Sequence, residues 1–328
     1  MLNKNAHLSE NVFSDHIEQA PTRDGFGHGV VESGKADPNV VVLCADLAES
    51  TRAEWFQKEF PERFIEMGVA EQNMATVAAG MAAVGKIPFI ASYAAFNPGR
   101  NYEQIRTTIA LNQQHVIICG MHAGVSVGPD GATHQMLEDI GMMRMLPHMT
   151  VVVPTDAEEA RKAVLAATNA KGPIYLRFGR VGVPSFTTPE TPFEIGKALT
   201  LWESLKPKVA ILSTGSLSYS ALLAARALDA EGVPSIVLHV PSVKPLDEAM
   251  VLDVAQKTGR IITIEEHQAA GGFGGAISEF LAEHHPTNVR RLGVQDQFGQ
   301  SGEPEQLLQH YKLDVSAIVE AVRAQMVS

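Results

Sequence analysis

At 328 residues the chain is longer than one ordinary hydrophobic core supports, so two domains are expected. A hydrophobic fraction of 45% with 19% charged residues excludes a disordered or collagen-like chain, and the most apolar stretch, 73–85, stops at Lys86, short of the roughly 20 residues a bilayer span requires. With 26 basic against 37 acidic residues, a formal net charge of -11, a general nucleic-acid surface is excluded and any anionic substrate must be met by locally placed arginines.

Residues 1–15 form a polar lead-in without the apolar core of a signal peptide, which points to a cytoplasmic protein with no membrane span. Short β-branched runs at 40–43, 63–66, 87–92, 115–119, 150–153 and 173–178 then alternate with helical patterns over 71–84, 102–113, 135–146 and 156–169. Apolar strands separated by helices predict a parallel sheet covered on both faces. A Pro- and Thr-rich stretch at 183–192 reads as a linker. Strands near 209–213, 235–238, 260–265 and 289–292 follow, with a closing helix from Val315. The expected fold class is α/β, with two doubly wound domains at 16–190 and 195–328. Cys44 and Cys119 both lie in apolar runs and read as buried thiols.

Chemistry concentrates in the first array. Glu71 opens a helix rich in small residues (Ala75, Ala78, Ala79, Gly80, Ala82, Ala83), a pattern that permits close approach of another helix in a subunit interface or a tight core contact. Its carboxylate suits the positive end of that helix. Its apolar neighbours Met67, Val69 and Met74 equally suit a carboxyl group whose proton affinity is raised by desolvation, and the sequence leaves both readings open. A loop after the 115–119 strand carries His122, Asp130 and His134 among Gly124, Gly128 and Gly131, at the strand end where open parallel sheets bind ligands. These groups suit a polyol or a proton transfer, or simply a solvated glycine-rich turn. A metal site is disfavoured, because the interval from His122 to His134 contains no short-range ligand pair. Of Arg23, Arg100, Arg177 and Arg180, the last two follow the final strand of the first array, where a guanidinium fork suits a phosphate, although each arginine taken singly reads as a surface charge. Tyr93 and Phe96 could stack on a flat ring or serve the core. The glycines at 271–275 fit the dinucleotide fingerprint only partly and read as close helix–sheet packing.

Taken together, Phe64 to Met74, the Gly128 to Gln135 loop and Ala45-Asp46-Leu47 resemble the C-terminal half of the transketolase family, in that family's order and over nearly the whole chain from about Thr22. The resemblance implies a pyrimidine-binding domain followed by a transketolase C-terminal domain. It implies thiamine diphosphate as cofactor, with Glu71 on the aminopyrimidine ring, Tyr93 and Phe96 stacked against it, and Asp46 on the cofactor side near the dimer contact. It places His122, Asp130 and His134 on the hydroxyls and carbonyl oxygen of a sugar donor, with Glu71, His122 and His134 catalytic. Arg23, Ser50 and Arg180 are similar to the sugar-phosphate positions, and Arg100 to a phosphate-binding arginine of deoxyxylulose phosphate synthase.

Two departures, Gln72 for the histidine that commonly follows the glutamate and Pro129 for the usual acidic residue before Asp130, leave donor specificity open. The Gly-Asp-Gly segment that carries Mg2+ and the diphosphate in the family does not occur in the chain. The resemblance therefore implies a split enzyme: an N-terminal partner subunit holds the diphosphate and Mg2+, and the two chains form a symmetric heterotetramer that transfers a two-carbon ketol unit between sugar phosphates. A 2-oxo acid dehydrogenase beta subunit, a deoxyxylulose phosphate synthase half and a non-catalytic partner are the alternatives. The first is disfavoured by the Thr-His-Gln loop and the phosphate arginines.

Overall fold

In the computed structural model, which describes residues 1–327, apolar runs make the centre of each sheet. Val40–Cys44, Ile117–Met121 and Ile174–Arg177 are buried at every position, as strands covered on both faces must be. They belong to a seven-stranded sheet ordered Ser242–Lys244, Thr150–Val152, Ile174–Arg177, Ile117–Met121, Ile87–Tyr93, Val40–Cys44, Phe64–Glu66. Six of these run parallel, so the loops that follow them open on one edge. The seventh, Ser242–Lys244, comes from beyond the linker and pairs antiparallel with Thr150–Val152. The second sheet has five strands ordered Asn288–Val294, Arg260–Gln268, Val209–Ser213, Ser235–His239, Leu199–Glu203. Its last strand, which sequence pattern did not predict, is antiparallel. One apolar cluster joins the two units, from Ile140, Val151 and Val153 to Leu212, Leu238 and Ile261. Both sheets are α/β layers with helices on their faces, the expected class. Among the described residues no helix is long and apolar enough to cross a membrane.

Several elements differ from the sequence pattern for identifiable reasons. The glycine-rich segment Thr22–Ala36 is a 15-residue helix that propensity argues against. Its glycines are contact points: a Cβ at Gly25 or Gly29 would strike the Ala157–Asn169 helix, and one at Gly27 would strike Trp55. The helix predicted over 135–146 is confined to Asp139–Arg144, because the Gln135 amide donates to the carbonyls of Val125, Gly128 and Gln300 and holds its segment as a loop. The one over 102–113 becomes a short turn, Tyr102–Gln104, running into a π-helix, Ile105–Ala110.

The expected linker is anchored: Gly182–Pro184 pairs with Gln19–Pro21, and the Asp156 carboxylate accepts the backbone N–H groups of Phe186 and Thr187. The lead-in is anchored too. Asn3 donates its backbone N–H to Leu201, and Val12 is buried in the core of the second unit.

Candidate active site

The chain leaves the Phe64–Glu66 strand through Gly68, at φ +66°, and enters the Glu71–Ala83 helix directly at Glu71. That start places the carboxylate in the first turn, where the helix end favours negative charge, yet only 2% of the residue is exposed. The cation against it is Arg100, whose Nη1 donates to Oε2 at 2.8 Å while the guanidinium lies 4.6 Å from the centre of the Phe96 ring. Asn101 donates to the Glu71 carbonyl and to Asn97, and Asn97 donates to the carbonyls of Ile90 and Cys119. This asparagine pair fastens the loop after Ile87–Tyr93 to the start of the helix. Sequence reasoning missed it, and the only signal was two asparagines flanking Pro98-Gly99-Arg100. Along the helix Ala75, Ala78 and Ala79 are buried, while Gly80 meets open space.

Tyr93 and Phe96 lie nearly parallel, 6.0 Å apart and tilted by 17°. The Tyr93 ring meets His122 edge-on at 4.0 Å, and Phe96 meets His134 at 5.5 Å. The four rings thus form one patch on the carboxyl edge of the parallel sheet. His122 sits at φ +52°, in the left-handed region that few side-chain-bearing residues adopt. Arg23 Nη1 donates to His122 Nε2 at 3.0 Å. That bond requires an unprotonated Nε2, so the neutral ring carries its hydrogen on Nδ1. Burial, then Arg23, Arg180, Arg52 and His134, pull the His122 pKa down to about 3. Nδ1 is buried without a partner, a donor lacking its acceptor.

Arg23 also donates to the Ser50 carbonyl at 2.8 Å, which brings Ser50 beside it. Arg180 donates to the Val127 carbonyl at 2.9 Å and pairs with Asp130 at 3.3 Å. His134 Nδ1 is 2.9 Å from the Thr133 hydroxyl. Asp46 stands exposed at the end of Val40–Cys44, with its backbone N–H bonded by Glu66. Arg100 is drawn to Glu71 and Phe96. Among the described residues no group of three or more His, Cys, Asp or Glu is placed to hold a metal ion.

Arg177, a phosphate candidate by sequence, is corrected by the structure: it is buried, with Nε and Nη2 bonded inside the fold. It donates to both Asp139 oxygens, at 2.7 and 3.2 Å, and to the carbonyls of Met136 and Glu266. Burial opposes both charges, but their attraction outweighs it, holding Asp139 below and Arg177 above their ordinary values. Gly272 and Gly274 serve packing, as expected, since a Cβ there would strike Glu265 or Thr263, whereas Gly271 sits at φ +77° in open space. The Glu265 carboxylate takes the N–H groups of Phe273 and Gly274 at 2.6 and 2.7 Å and fills the helix end that a phosphate would need. Gly124 has a similar reason. A Cβ there would strike Glu266, whose carboxylate accepts the Ser126 N–H at 2.6 Å.

Residues 18–184 match the family described as transketolase, pyrimidine binding domain, and residues 196–318 match transketolase, C-terminal domain. The chain belongs to the transketolase family. A transketolase C-terminal section from Methanocaldococcus jannaschii is 39% identical over 93% of this chain and 96% of its own length. A solved structure described as a split gene transketolase, inactive beta4 tetramer, superposes with a TM-score of 0.86 at 43% identity, covering 93% of this chain and 97% of that one. The transketolase of Rattus norvegicus is 37% identical over 93% of the chain, which spans 49% of that longer protein. This transketolase-family chain thus corresponds to the pyrimidine-binding and C-terminal portions, and its patch of rings lies within the pyrimidine-binding match.

Proposed function

We propose that this chain is the C-terminal subunit of a split, thiamine diphosphate-dependent transketolase that moves a two-carbon ketol unit between sugar phosphates. The observation that carries the reading is the buried Glu71 carboxylate beside the Phe96 face, with the unsatisfied Nδ1–H of His122 on the same sheet edge. A flat, nitrogen-bearing ring fits the first pair: the carboxylate supplies an acceptor and the aromatic face a stacking surface. When bound, thiamine diphosphate supplies the electron sink for carbon–carbon bond cleavage.

Glu71 would hold the aminopyrimidine ring and exchange a proton with it at Oε2, with Phe96 and Tyr93 carrying its face. His122, neutral and fixed by Arg23, would donate from Nδ1 to a sugar oxygen where negative charge develops. A buried donor left unmet costs about 1–3 kcal/mol, which such an oxygen recovers. His134 and Asp130 would orient the remaining hydroxyls. Arg23 and Arg180, with Ser50 beside them, would meet the anionic end of the substrate. Relatives of similar length are named for anionic sugars: a 6-deoxy-6-sulfo-D-fructose transketolase chain from Clostridium, 38% identical over 94% of this chain, and an apulose-4-phosphate transketolase chain from Phocaeicola vulgatus, 36% identical over 90%.

Mg2+ needs hard oxygen ligands, and the diphosphate needs that cation beside it; the family places both on its Gly-Asp-Gly segment. In this reading a separate N-terminal subunit supplies that segment, Asp46 lies on the cofactor side near the subunit contact, and the assembly is a cytoplasmic heterotetramer. The two domains are taken as 16–190 and 195–328. The test is a ketol-transfer assay on the chain alone and mixed with its N-terminal subunit. Turnover is expected only in the mixture and should fall by at least about 10³-fold in Glu71→Ala. Transfer by the isolated chain, or a near-normal rate in the variant, would sink the reading.

A further inference from the structure

Resting on that reading, we infer that Arg100 is a placeholder for the cofactor's ring: its guanidinium lies against both Glu71 and Phe96 and must leave for the ring to bind. A guanidinium is planar and delocalised, stacks on aromatic faces and presents N–H donors to carboxylates. An aminopyrimidine shares the plane, the stacking face and the N–H donor. The structure shows Arg100 meeting both groups at once: its guanidinium is 4.6 Å from the centre of the Phe96 ring, with Nη1 2.8 Å from Glu71 Oε2.

The asymmetry of exposure says which partner moves. The Glu71 side chain is 2% exposed and begins a helix fastened by Asn101, whereas the Arg100 side chain is 46% exposed at the end of a flexible stem. The carboxylate is therefore the fixed wall and the guanidinium the removable part. There is a reason for such an arrangement. A carboxylate buried without a partner carries a large desolvation cost, and Arg100 offsets it until the ring arrives. The same contact lowers apparent cofactor affinity, because only molecules with Arg100 displaced are competent to bind.

The experiment is calorimetric titration of the Mg2+ complex of thiamine diphosphate into the assembled two-subunit complex, comparing wild type, Arg100→Met and Arg100→Lys. Methionine keeps an apolar stem and removes the competitor, so its Kd should fall about tenfold; lysine, a cation without the planar fork, should lie between. The Michaelis constant for a phosphorylated donor, measured in parallel, should stay within about twofold. A Kd for Arg100→Met equal to or weaker than wild type, with far-UV circular dichroism unchanged, overturns the placeholder. So does a tenfold rise in that Michaelis constant with an unaltered Kd, which would put Arg100 on the substrate. Wild type failing where Arg100→Met binds would support the placeholder in its extreme form, and binding by none of the three would remove both this inference and the proposed function.

Discussion

Two polar clusters in this molecule are built from the same residue types and differ in completeness. Around Arg177, the buried charges are matched inside the fold: Asp139 takes the guanidinium and the Tyr175 hydroxyl, at 2.6 Å, while Glu266 takes both the N–H and the hydroxyl of Ser126. The buried Glu159–His239–Ser218 chain is equally closed, at 2.8 and 2.7 Å, and joins the two units. On the sheet edge, Arg23 Nε and His122 Nδ1 are buried without partners, and Glu71 relies on a half-exposed arginine. The other buried side-chain atoms without a hydrogen bond among the described residues are hydroxyl and amide oxygens, so these two nitrogen donors set the edge apart, as a site that takes an acceptor from outside the chain would. Charge and burial alone would rank the Arg177 cluster first, but satisfaction reverses the order.

The largest effect should come from opening the closed cluster. Asp139→Ala leaves a buried guanidinium unpaired and should destabilise the protein by about 3–5 kcal/mol in urea unfolding. Asp139→Leu combined with Arg177→Met removes both charges and should recover at least half of that loss. If the single and double variants are equally unstable, the pair is not what holds the cluster, and the contrast with the open edge loses its energetic basis.

How much of this was legible beforehand depends on sequence distance. The central strands could be read because a strand covered on both faces is written as an apolar run, such as Val40–Cys44. Glu71, His122, Asp130 and His134 could be singled out as candidates because each lies in a short motif that resembles the transketolase family. The Thr22–Ala36 helix could not be read. Four glycines argue against it locally, and packing on a helix more than a hundred residues away holds it in place. Arg177 was misjudged for the same reason: it does lie at the ligand-binding edge, but Glu266, which completes its burial, is 89 residues distant. The Arg100–Glu71 pair, 29 residues apart, needed the turn at 97–101 to be seen.

A smaller effect, on a different observable, is expected at the open edge. Arg180→Ala removes a cation whose side chain is 37% exposed and whose ion pair with Asp130 adds little to folding. Stability should change by less than about 0.5 kcal/mol, while the Michaelis constant for phosphorylated sugars rises about tenfold or more and that for an unphosphorylated donor does not. Equal effects on both donors would deny Arg180 an anion contact. A large loss of stability would move it into the closed class.

The smallest effect belongs to His122 and is read by pH. Burial and the surrounding arginines hold its pKa at about 3 in the fold, whereas an unfolded histidine titrates near 6.5. Between those values the unfolded chain binds a proton that the folded chain refuses. The stabilisation His122 contributes is thus fully present above about pH 6.5 and is lost progressively as pH falls toward the folded value. From pH 7 to 5.5 the loss should be about 1 kcal/mol. Asp156, Glu265 and Glu266, all raised by burial, act with the opposite sign, so wild type alone would mix the contributions. His122→Gln keeps those carboxyls and removes only the imidazole, so the wild-type advantage measured by urea unfolding should shrink by about 1 kcal/mol across that interval. Parallel curves would mean that His122 accepts a proton in the fold as readily as out of it. Its Nε2 would then be no fixed acceptor for Arg23, and its Nδ1–H no longer a donor held ready in a neutral ring.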